Sequence, residues 1–408
     1  MFDLVVIGGG PAGLFSAARA KELNPRLSIL ILEKMAQCGR KLLVSGGGQC
    51  NLTRDEESRE LVKGYGDNGR FLGAAFSKLS PADTQAWFTL HGLPLITRED
   101  RKVFPASFRA DDVRNLLVNL CCALDISILY HSCAETVSHC DEIFQIRTTD
   151  GTCFSSKKLL IATGGMSCPG TGSTGDGYTL AKGMGHTIVP PRPALAAVKA
   201  TSEPTESLEG VSLDMAMIYA KQGRWTGPLI FTRNGISGPV VLDNSRYLKS
   251  GETIRLCTMF RAGGKPATAD LFAQELLQEA KRNPLRQVST LLHQWTGLPK
   301  RLVQHHFKTM GIPDEKRGGD LSGQQALVLA QRFCSWPVQI SFEGAFKTCM
   351  ATAGGIALSE INPKTMMSQL VTGLYFAGEV IDIDGRCGGY NLQAAWSTAN
   401  LAARDIAS

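Results

Sequence analysis

Three glycines close to the start of the chain have the spacing of a dinucleotide-binding turn. The turn reads Gly8-Gly9-Gly10-Pro11-Ala12-Gly13, with an apolar, strand-like run before it and a helical run after it. In this context the first glycine makes a tight turn, the second lets a pyrophosphate approach the backbone, and the third lets helix and strand pack closely. The free amides of the helix N-terminus then face the phosphates. We therefore expect a dinucleotide ligand at this turn.

A carboxylate ends the second predicted strand, which runs from Ser28 to Leu32. Glu33 lies about twenty residues after Gly13, at the position where an acid accepts hydrogen bonds from ribose hydroxyls. The same carboxylate would repel a 2′-phosphate, so we do not expect NADP at this turn.

A glycine-rich loop follows this strand. It contains Gly39-Arg40-Lys41 and then Ser45-Gly46-Gly47-Gly48-Gln49-Cys50-Asn51. Three consecutive glycines leave backbone amides exposed for a ligand to approach. A flexible surface loop would have the same composition, but two cations and a thiol directly after a dinucleotide turn favour contact with the cofactor.

Two further turns carry similar chemistry later in the chain. Ala162-Thr163-Gly164-Gly165 follows an apolar strand, and Gly389-Tyr390-Asn391-Leu392 opens the last predicted helix. In a doubly wound fold the ends of neighbouring strands share one ligand crevice. A helix N-terminus also suits the N1/C2=O edge of a reduced, anionic flavin. We infer that the two ends of the chain build one flavin site and that the middle is an insertion.

A second glycine pattern lies at Gly170-x-Gly172-x-x-Gly175. A Met-Ser-Cys-Pro loop separates it from the preceding strand, and no acid stands near the twentieth residue beyond it, so we interpret it as a loop at the active-site edge. Without a second dinucleotide fold, NAD(P)H would have to dock transiently on the flavin as electron donor or be replaced by another reductant.

Cys50 is the candidate proton donor. If the flavin passes a hydride to the β-carbon of a conjugated carbonyl, an acid must protonate the α-carbon. A thiol with a pKa of about 8.5 stays mostly protonated at neutral pH unless Arg40 or Lys41 lowers that pKa. Cys387, just before the turn that opens the last predicted helix, is the second candidate for the proton donor. The alternative is that Cys50 only packs against the flavin.

The elements that must position these groups divide the chain into three predicted domains. Residues 1–190 and 350–408 would form a discontinuous FAD-binding domain, residues 191–268 and 322–349 an inserted β-barrel domain, and residues 269–321 a helical insertion. The barrel prediction rests on strand-like runs at residues 195–200, 215–219, 227–231 and 253–259. The segment Pro190-Pro191-Arg192-Pro193 is typical of a stiff linker at a domain crossing.

The composition limits what the chain can be in size of core, location and metal content. A chain of 408 residues, 43% hydrophobic and 20% charged, can bury a sizeable core. No apolar run approaches the ~20 residues that span a bilayer, and the chain starts with a strand rather than a charged leader. We expect no membrane partner and a cytoplasmic location. The twelve cysteines, none spaced as Cys-x-x-Cys, are expected to be reduced thiols, and no metal site is expected.

The predicted helical insertion contains a basic segment between Lys281 and Arg317. Eight lysines and arginines stand there against Asp314 and Glu315, together with three histidines. A solvated helix face explains this pattern, and a footprint for the phosphates of a polyanion is the sharper alternative.

Several of these motifs together resemble one family. They are the N-terminal glycine turn, Gly39-Arg40-Lys41 with residues 45–51, residues 162–165, Thr171-Gly172-Ser173-Thr174-Gly175-Asp176-Gly177-Tyr178, Ile236-Ser237-Gly238-Pro239, and Ala377-Gly378-Glu379 with Gly389-Tyr390-Asn391-Leu392-Gln393. The chain is similar in these motifs, over almost its full length, to the bacterial NAD(P)/FAD-dependent oxidoreductases of the BaiN/RdsA type, which include proteins called aminoacetone oxidases. One departure is Gln49, where the family usually has arginine, so a cationic contact to substrate or flavin would be missing.

The resemblance implies an α/β protein with a Rossmann-like FAD-binding domain of the glutathione-reductase type and with inserted β-barrel and small helical domains. It implies an FAD-dependent oxidoreductase that reduces an activated C=C bond, with uridine in large-subunit ribosomal RNA, converted to dihydrouridine, as the best-defined substrate. The alternatives are an oxidase or reductase of a small metabolite, such as an amino-ketone or an enone, and an FAD-binding module without activity.

The motifs and the resemblance together give one set of expected cofactor contacts. These are Gly8, Gly10, Pro11, Ala12, Gly13, Glu33, Lys34, Arg40, Lys41, Ser45, Gly46, Gly47, Ala134, Ala162, Thr163, Gly164, Gly165, Gly378, Glu379, Gly389, Tyr390, Asn391 and Leu392.

Overall fold

The computed structural model describes residues 1–261 and 263–408. Its strands, in chain order, are β1 (Phe2–Ile7), β2 (Ile29–Leu32), β3 (Thr53–Arg54), β4 (Leu95–Thr97), β5 (Lys102–Pro105), β6 (Ser127–Leu129), β7 (Ala134–Cys140), β8 (Ile143–Thr148), β9 (Cys153–Ile161), β10 (Ile188–Ala194), β11 (Val198–Ala200), β12 (Ser212–Ala220), β13 (Gly223–Thr232), β14 (Gly235–Ser237), β15 (Thr253–Cys257), β16 (Trp336–Ser341), β17 (Ala351–Ile356) and β18 (Leu374–Phe376). Its α-helices are α1 (Pro11–Leu23), α2 (Arg40–Val44), α3 (Ser58–Leu61), α4 (Gly73–Lys78), α5 (Pro81–Leu90), α6 (Ala110–Ala123), α7 (Asp176–Gly183), α8 (Pro239–Leu242), α9 (Ala269–Arg282), α10 (Val288–Thr296), α11 (Lys300–Thr309), α12 (Gly323–Ser335) and α13 (Tyr390–Ala407).

The chain folds into two compact units. The first comprises Met1–Ala194 and Phe346–Ser408, and the second comprises Leu195–Ala345. Each unit has a hydrophobic core of its own. The first unit is therefore built from both ends of the chain.

The first unit is organised around a sheet in the order β6-β2-β1-β9-β8-β7, with β18 also paired to β9. Strands β6, β2, β1, β9 and β18 run parallel, whereas β7, β8 and β9 pair antiparallel. The residues of β2 are all buried, as are the last four of β1. Continuous apolar runs of this kind are typical of parallel strands that are covered on both faces.

The register of these parallel strands aligns their carboxyl ends. Ile7 at the end of β1 pairs with Leu32 of β2 and with Ile161 of β9, and Phe376 of β18 pairs with Ile161. The turns that follow β1, β2, β9 and β18 therefore start at the same edge of the sheet, where ligands bind in doubly wound folds.

Helices α1 and α13, from opposite ends of the chain, pack around shared aromatic side chains. The ring of Trp396 in α13 lies 5.5 Å from that of Phe15 in α1 and 5.3 Å from that of Phe88 in α5. All three side chains are fully buried. This packing fixes the start of the last helix relative to the first strand and turn.

The proline-rich segment at residues 190–193 is a paired strand rather than a free linker, and the boundary between the two units follows it, between Ala194 and Leu195. The segment lies in β10, which pairs antiparallel with β17 inside the first unit, with Arg192 opposite Ala353 and Pro193 opposite Thr352. The register shifts between Val189 and Arg192. The two prolines inside this irregularity remove no regular ladder bond, which is why a strand accepts them there.

The second unit contains a closed barrel in the order β11-β14-β13-β12-β15-β16. Helices α9 to α12 lie in the chain between β15 and β16, and their apolar residues share one core with the barrel. Phe333 of α12, for example, contacts Phe272 of α9 edge-on, with 6.1 Å between ring centroids. The predicted α/β fold class with barrel and helical parts is confirmed.

Within the described residues, no helix is long and apolar enough to cross a membrane.

Candidate functional site

In the first turn, two glycines lie against neighbouring backbone and one faces open space, as the glycine spacing predicts. A Cβ atom at Gly8 would lie 2.7 Å from the carbonyl oxygen of Ala162, and one at Gly13 would overlap the carbonyl oxygen of Gly8. At Gly10 the nearest atom, again the Ala162 oxygen, is 3.9 Å away. Strand, turn and helix are therefore packed tightly on either side of one open backbone position, which leaves room for a phosphate.

The N-terminus of α1 has no side-chain cap among residues 1–261 and 263–408. Gly10 is the residue that precedes the helix, and Pro11 is its first residue. The first turn of the helix contains no acidic residue. The first turn thus holds no carboxylate of its own that would compete with a phosphate anion for the amides of Ala12 and Gly13.

Glu33 is held in place by backbone amides. Its carboxylate accepts hydrogen bonds from the amides of Gly9 (2.9 Å) and Met35 (2.8 Å). Burial raises the pKa of this carboxyl group above its usual value, while these bonds and the charges of Lys34 and Arg40 oppose the shift. The carboxylate is thereby fixed beside the glycine turn, in the position expected of a ribose acceptor.

The chain around Glu33 brings other predicted residues close. The amide of Ser132 donates to the Glu33 carbonyl oxygen (2.9 Å), which places the start of β7 at Ala134 nearby. The Lys34 ammonium forms an ion pair with Asp176 and a hydrogen bond with Thr174. The loop of the rejected second glycine pattern therefore lies against Lys34.

The C-terminal motif reaches the first turn directly. A Cβ atom at Gly378, whose φ is +77°, would lie 2.8 Å from the Cβ atom of Ala12. The Gly378 amide donates to the Thr398 hydroxyl of α13 (3.1 Å). The structure thus brings together the two ends of the chain at the dinucleotide turn.

Glu379 and Lys41 form the centre of a polar cluster that the sequence reasoning covered only in part. The two side chains form an ion pair, and Glu379 also accepts from the Ser167 hydroxyl (2.9 Å) and from the Thr352 amide (2.8 Å). A Cβ atom at Gly165 would overlap the Thr352 side chain, which explains the second glycine of the Ala162–Gly165 turn.

Ser167 and Thr352 are the site residues that the sequence analysis missed. Both side chains are fully buried, and the Thr352 hydroxyl accepts from the amides of Met166 (2.9 Å) and Ser167 (3.1 Å). The signal that could have identified Thr352 is its position just before the glycine pair at residues 354–355.

The predicted cofactor loop presents an open backbone. Gly46, Gly47 and Gly48 have φ angles of +55°, +66° and +85°, and a Cβ atom at Gly47 would meet no atom of the described residues within 4 Å. The loop is anchored at its base, where the Ser45 hydroxyl donates to the Leu42 carbonyl oxygen (2.7 Å). Left-handed glycines on an anchored loop leave backbone accessible for a ligand to approach, as the sequence predicts.

Cys50 lies beneath this loop and is fully buried. Burial raises the pKa of its thiol to about 12, and a hydrogen bond with Ser45 opposes the shift. The thiol therefore keeps its proton at neutral pH, as a proton donor must. Its role in catalysis stays a prediction, since burial is equally compatible with simple packing.

The start of α13 meets the same loop. A Cβ atom at Gly389 would lie 3.0 Å from the Asn51 side chain. In the orientation that satisfies its neighbours, the Asn51 side-chain oxygen accepts a hydrogen bond from the backbone N–H of Gly389 (3.1 Å). Asn391 is engaged elsewhere, because its side chain bonds both the amide (2.8 Å) and the carbonyl oxygen (3.1 Å) of Gly385. Leu392 packs partly buried against the core of the first unit.

These observations fit a bound dinucleotide. The open glycine, the uncapped helix and the fixed carboxylate lie in one place, and both ends of the chain meet there. Among residues 1–261 and 263–408, no group of three or more His, Cys, Asp or Glu side chains could hold a metal ion.

Comparison with known proteins agrees with this geometry. Residues 2–405 match the family described as "HI0933-like protein Rossmann domain". The chain is 31% identical to the ribosomal RNA dihydrouridine synthase of Escherichia coli, over 99% of this chain and 98% of the relative. It is 29% identical to the 3-dehydro-bile acid delta(4,6)-reductase of Clostridium scindens, over 98% of both chains.

Among solved structures, the 3-ketosteroid-delta4-(5alpha)-dehydrogenase of Rhodococcus jostii superposes with a TM-score of 0.52 at 13% identity, over 100% of this chain and 97% of that one. This similarity concerns the fold alone. The predicted family is confirmed by the sequence matches. The chain belongs to the HI0933-like Rossmann family and is an FAD-dependent oxidoreductase.

Proposed function

We propose that this protein reduces an activated carbon–carbon double bond and that its substrate is uridine in large-subunit ribosomal RNA. The observation that carries the proposal is the similarity to a ribosomal RNA dihydrouridine synthase over 98% of that protein's length. A match of this length includes the glycine turn at residues 8–13, the turn at residues 162–165, the C-terminal motif and the whole second unit.

The reaction type has broader support than the substrate. One relative's name describes the formation of dihydrouridine and the other's describes a delta(4,6)-reduction. Each product arises when a double bond conjugated to a carbonyl group is saturated. Relatives with different substrates therefore share one chemistry.

In this chemistry bound FAD would supply the hydride. The chain itself would hold the phosphates at Gly10 and α1, orient the ribose with Glu33, and expose the backbone of Gly46–Gly48. The Cys50 thiol would supply the proton at the α-carbon. Burial raises the pKa of this thiol to about 12, so the proton is present at neutral pH.

NAD(P)H is the proposed electron donor, and it would dock transiently. The glycine pattern at residues 170–175 begins inside a short 3-10 turn at Pro169–Thr171 and ends directly before α7. It does not follow a strand directly, as a dinucleotide turn does.

Ribosomal RNA as a partner is supported by the exposed cations of the second unit. Lys281, Arg282, Arg286, Lys300 and Lys308 are all exposed on or beside α9 to α11. Exposed cations on one compact unit attract the phosphates of a polynucleotide.

A small enone is the second candidate substrate. It is favoured by the similarity to the bile-acid reductase, which is nearly as high as that to the RNA-modifying enzyme. In this case the exposed cations would form a solvated helix face.

An oxygen-free reoxidation experiment separates the two. The FAD-loaded protein is reduced and mixed either with large-subunit ribosomal RNA from a strain that lacks this gene or with a steroid enone. We expect the RNA to reoxidise the flavin and to gain dihydrouridine, measured by nucleoside mass spectrometry. RNA from the parent strain, which already carries the modification, is the matched control. Reoxidation by the enone alone would reject RNA as the substrate.

A further inference from the structure

A charged cleft opens beside the start of α13 in the first unit. It has a volume of about 410 Å³, and its lining residues are Glu56, Glu57, Arg59, Glu60, Lys63, Gly64, Arg101, Arg386 and Tyr390. Clefts of roughly 300–1,000 Å³ accommodate small ligands, and most are lined by apolar side chains. Here nearly every lining side chain is charged, which points to an ionic ligand rather than an apolar one.

The carboxylates of the cleft already have cations of their own. Glu56 accepts from two nitrogens of Arg54 (2.9 and 2.6 Å). Glu57 pairs with Arg59 (2.7 Å), and Glu60 pairs with Lys63 (2.6 Å). The negative charge of the lining is therefore neutralised locally.

Two arginines remain. Within residues 1–261 and 263–408, the guanidinium groups of Arg101 and Arg386 have no carboxylate partner. Both side chains are exposed. The cleft therefore carries an excess of positive charge on two groups that are free to form paired hydrogen bonds with phosphate oxygens.

Both arginines stand on well-supported backbone. Arg386 follows Gly385, which the Asn391 side chain holds at both its amide and its carbonyl oxygen, and the Arg386 amide donates to the Gly64 carbonyl oxygen (3.0 Å). Arg101 lies in the turn between β4 and β5 with φ +61°, where its amide donates to Arg98 (2.9 Å) and its carbonyl oxygen accepts from Asp55 (2.8 Å). Cations on fixed backbone define a ligand position better than cations on a mobile loop.

The cleft adjoins the cofactor site through Tyr390. This residue lines the cleft, opens α13 directly after Gly389, and lies beneath the Arg54 guanidinium at 5.3 Å from the ring centroid. Its ring also packs edge-on against Tyr65. Tyr390 therefore connects the cleft to the start of α13, and the Arg54 guanidinium covers one face of its ring.

We propose that this cleft is a phosphate-binding subsite for the substrate and that Arg101 and Arg386 hold a phosphate group of the uridine nucleotide or of its neighbour in the RNA. The proposal rests on the function proposed above and adds to it the part of the substrate that the cleft recognises. The two arginines position the nucleotide, and the base is left to the flavin site.

The test compares uridine 5′-monophosphate with uridine, a ligand pair that differs by the phosphate alone. Binding to the oxidised, FAD-saturated protein is measured by calorimetry, so that the nucleotide cannot occupy the cofactor site and no turnover occurs. We expect the monophosphate to bind at least tenfold more tightly than uridine. Arg101→Gln and Arg386→Gln should each weaken monophosphate binding by about tenfold, the scale of one lost charged hydrogen bond, and leave uridine binding unchanged.

Arg70→Gln is the matched control, because Arg70 is exposed in the same unit and lies outside the cleft. Equal affinity for the two ligands, or full monophosphate affinity in the Arg101→Gln/Arg386→Gln double variant, would overturn the proposal. Loss of monophosphate binding in that variant, in a protein that forms no dihydrouridine, would keep the cleft and reject the RNA function. Unchanged monophosphate binding in the double variant of a protein that does form dihydrouridine would keep the RNA function and reject the cleft as a phosphate subsite.

Discussion

Tyr178 has a buried hydroxyl group with no hydrogen-bond partner among the described residues. The side chain is 7% exposed, and a Cβ atom at Gly175 would lie 3.2 Å from its ring. Burial first, and then the charges of Glu379 and Asp382, raise the pKa of this phenol, so it remains a donor. An unsatisfied buried donor costs about 1–3 kcal/mol. Because Glu379 is one of the predicted cofactor contacts, bound FAD is the partner that we expect for this hydroxyl.

We predict that Tyr178→Phe weakens FAD binding by about tenfold, the value of one net hydrogen bond of about 1.4 kcal/mol. The stability of the FAD-free protein should not fall, since the free hydroxyl stabilises nothing there. The control is Tyr375→Phe, because the Tyr375 hydroxyl donates to Asp405 (2.7 Å) within the protein. That variant should lose stability and keep its FAD affinity. FAD titration and urea unfolding measure both quantities, and an unchanged FAD affinity in Tyr178→Phe would reject the assignment.

Cys50 gives a second prediction at this scale. Cys50→Ala should bind substrate and accept electrons normally but form product about a hundredfold more slowly or worse, the usual scale of a general-acid contribution. Single-turnover oxidation of the reduced protein measures this step. Cys122→Ala is the control, since Cys122 is exposed and lies outside the predicted site, and Cys387→Ala tests the second candidate in the same assay. A wild-type rate in Cys50→Ala would leave the thiol a packing residue only.

At the scale of elements, α11 is tied to the barrel through a buried polar cluster. Glu203 accepts from His305 (2.7 Å) and from the Trp336 indole (3.2 Å), and it forms an ion pair with Arg332 of α12. Arg332 in turn donates to Nδ1 of His306 (3.3 Å). This bond assigns the proton of neutral His306 to Nε2, a buried atom without a partner among the described residues.

This cluster makes stability depend on pH. Burial lowers the pKa of His306 to about 3, with the neighbouring His305 adding to the shift, from an ordinary value of 6.5. Below pH 6.5 the unfolded chain takes up a proton that the folded chain refuses, so stability falls as the pH decreases toward 3. One such group changes stability by at most about 1.4 kcal/mol per pH unit.

We predict that His306→Phe reduces the loss of unfolding free energy between pH 7 and pH 5, whatever it does to stability at pH 7. Urea unfolding at both pH values gives the difference directly. His131→Asn is the control, because His131 is exposed and asparagine tolerates its positive φ of +54°. An unchanged pH dependence in His306→Phe would show that His306 is not the titrating group.

Some parts of the candidate site could be predicted from the sequence and others could not. The turns at Gly8–Gly13 and Ala162–Gly165 follow from local patterns, because strand, glycine spacing and helix lie within a few residues. Thr352 and Ser167 did not follow, because their roles depend on contacts with chain segments almost two hundred residues away. His305 and His306 belong to the predicted basic segment, yet both are buried. Helical periodicity could not predict this, because it does not show which face of a helix packs against another element.

At the scale of the whole molecule, a formal charge of +6 is too small to identify an RNA-binding protein, and the location of the charges matters more. Within the basic segment, Arg301 is a structural residue, because its guanidinium group donates to the carbonyl oxygens of Ser207 (2.6 and 3.0 Å) and Glu209 (3.0 Å). Substituting Arg301 would therefore disturb the second unit as well as any RNA contact.

Lys300 and Lys308 at the two ends of α11 are the sharper test, since both are exposed and neither has a carboxylate partner among residues 1–261 and 263–408. We predict that Lys300→Gln/Lys308→Gln weakens binding of ribosomal RNA and leaves the FAD spectrum unchanged. Each removed phosphate contact should make the slope of log K against log salt less steep by about 0.7 to 0.9. Lys78→Gln/Lys364→Gln in the first unit removes the same charge from exposed positions and should leave that slope nearly unchanged. Equal slopes in the two double variants would mean that α11 presents a solvated face and that RNA, if bound, is held elsewhere.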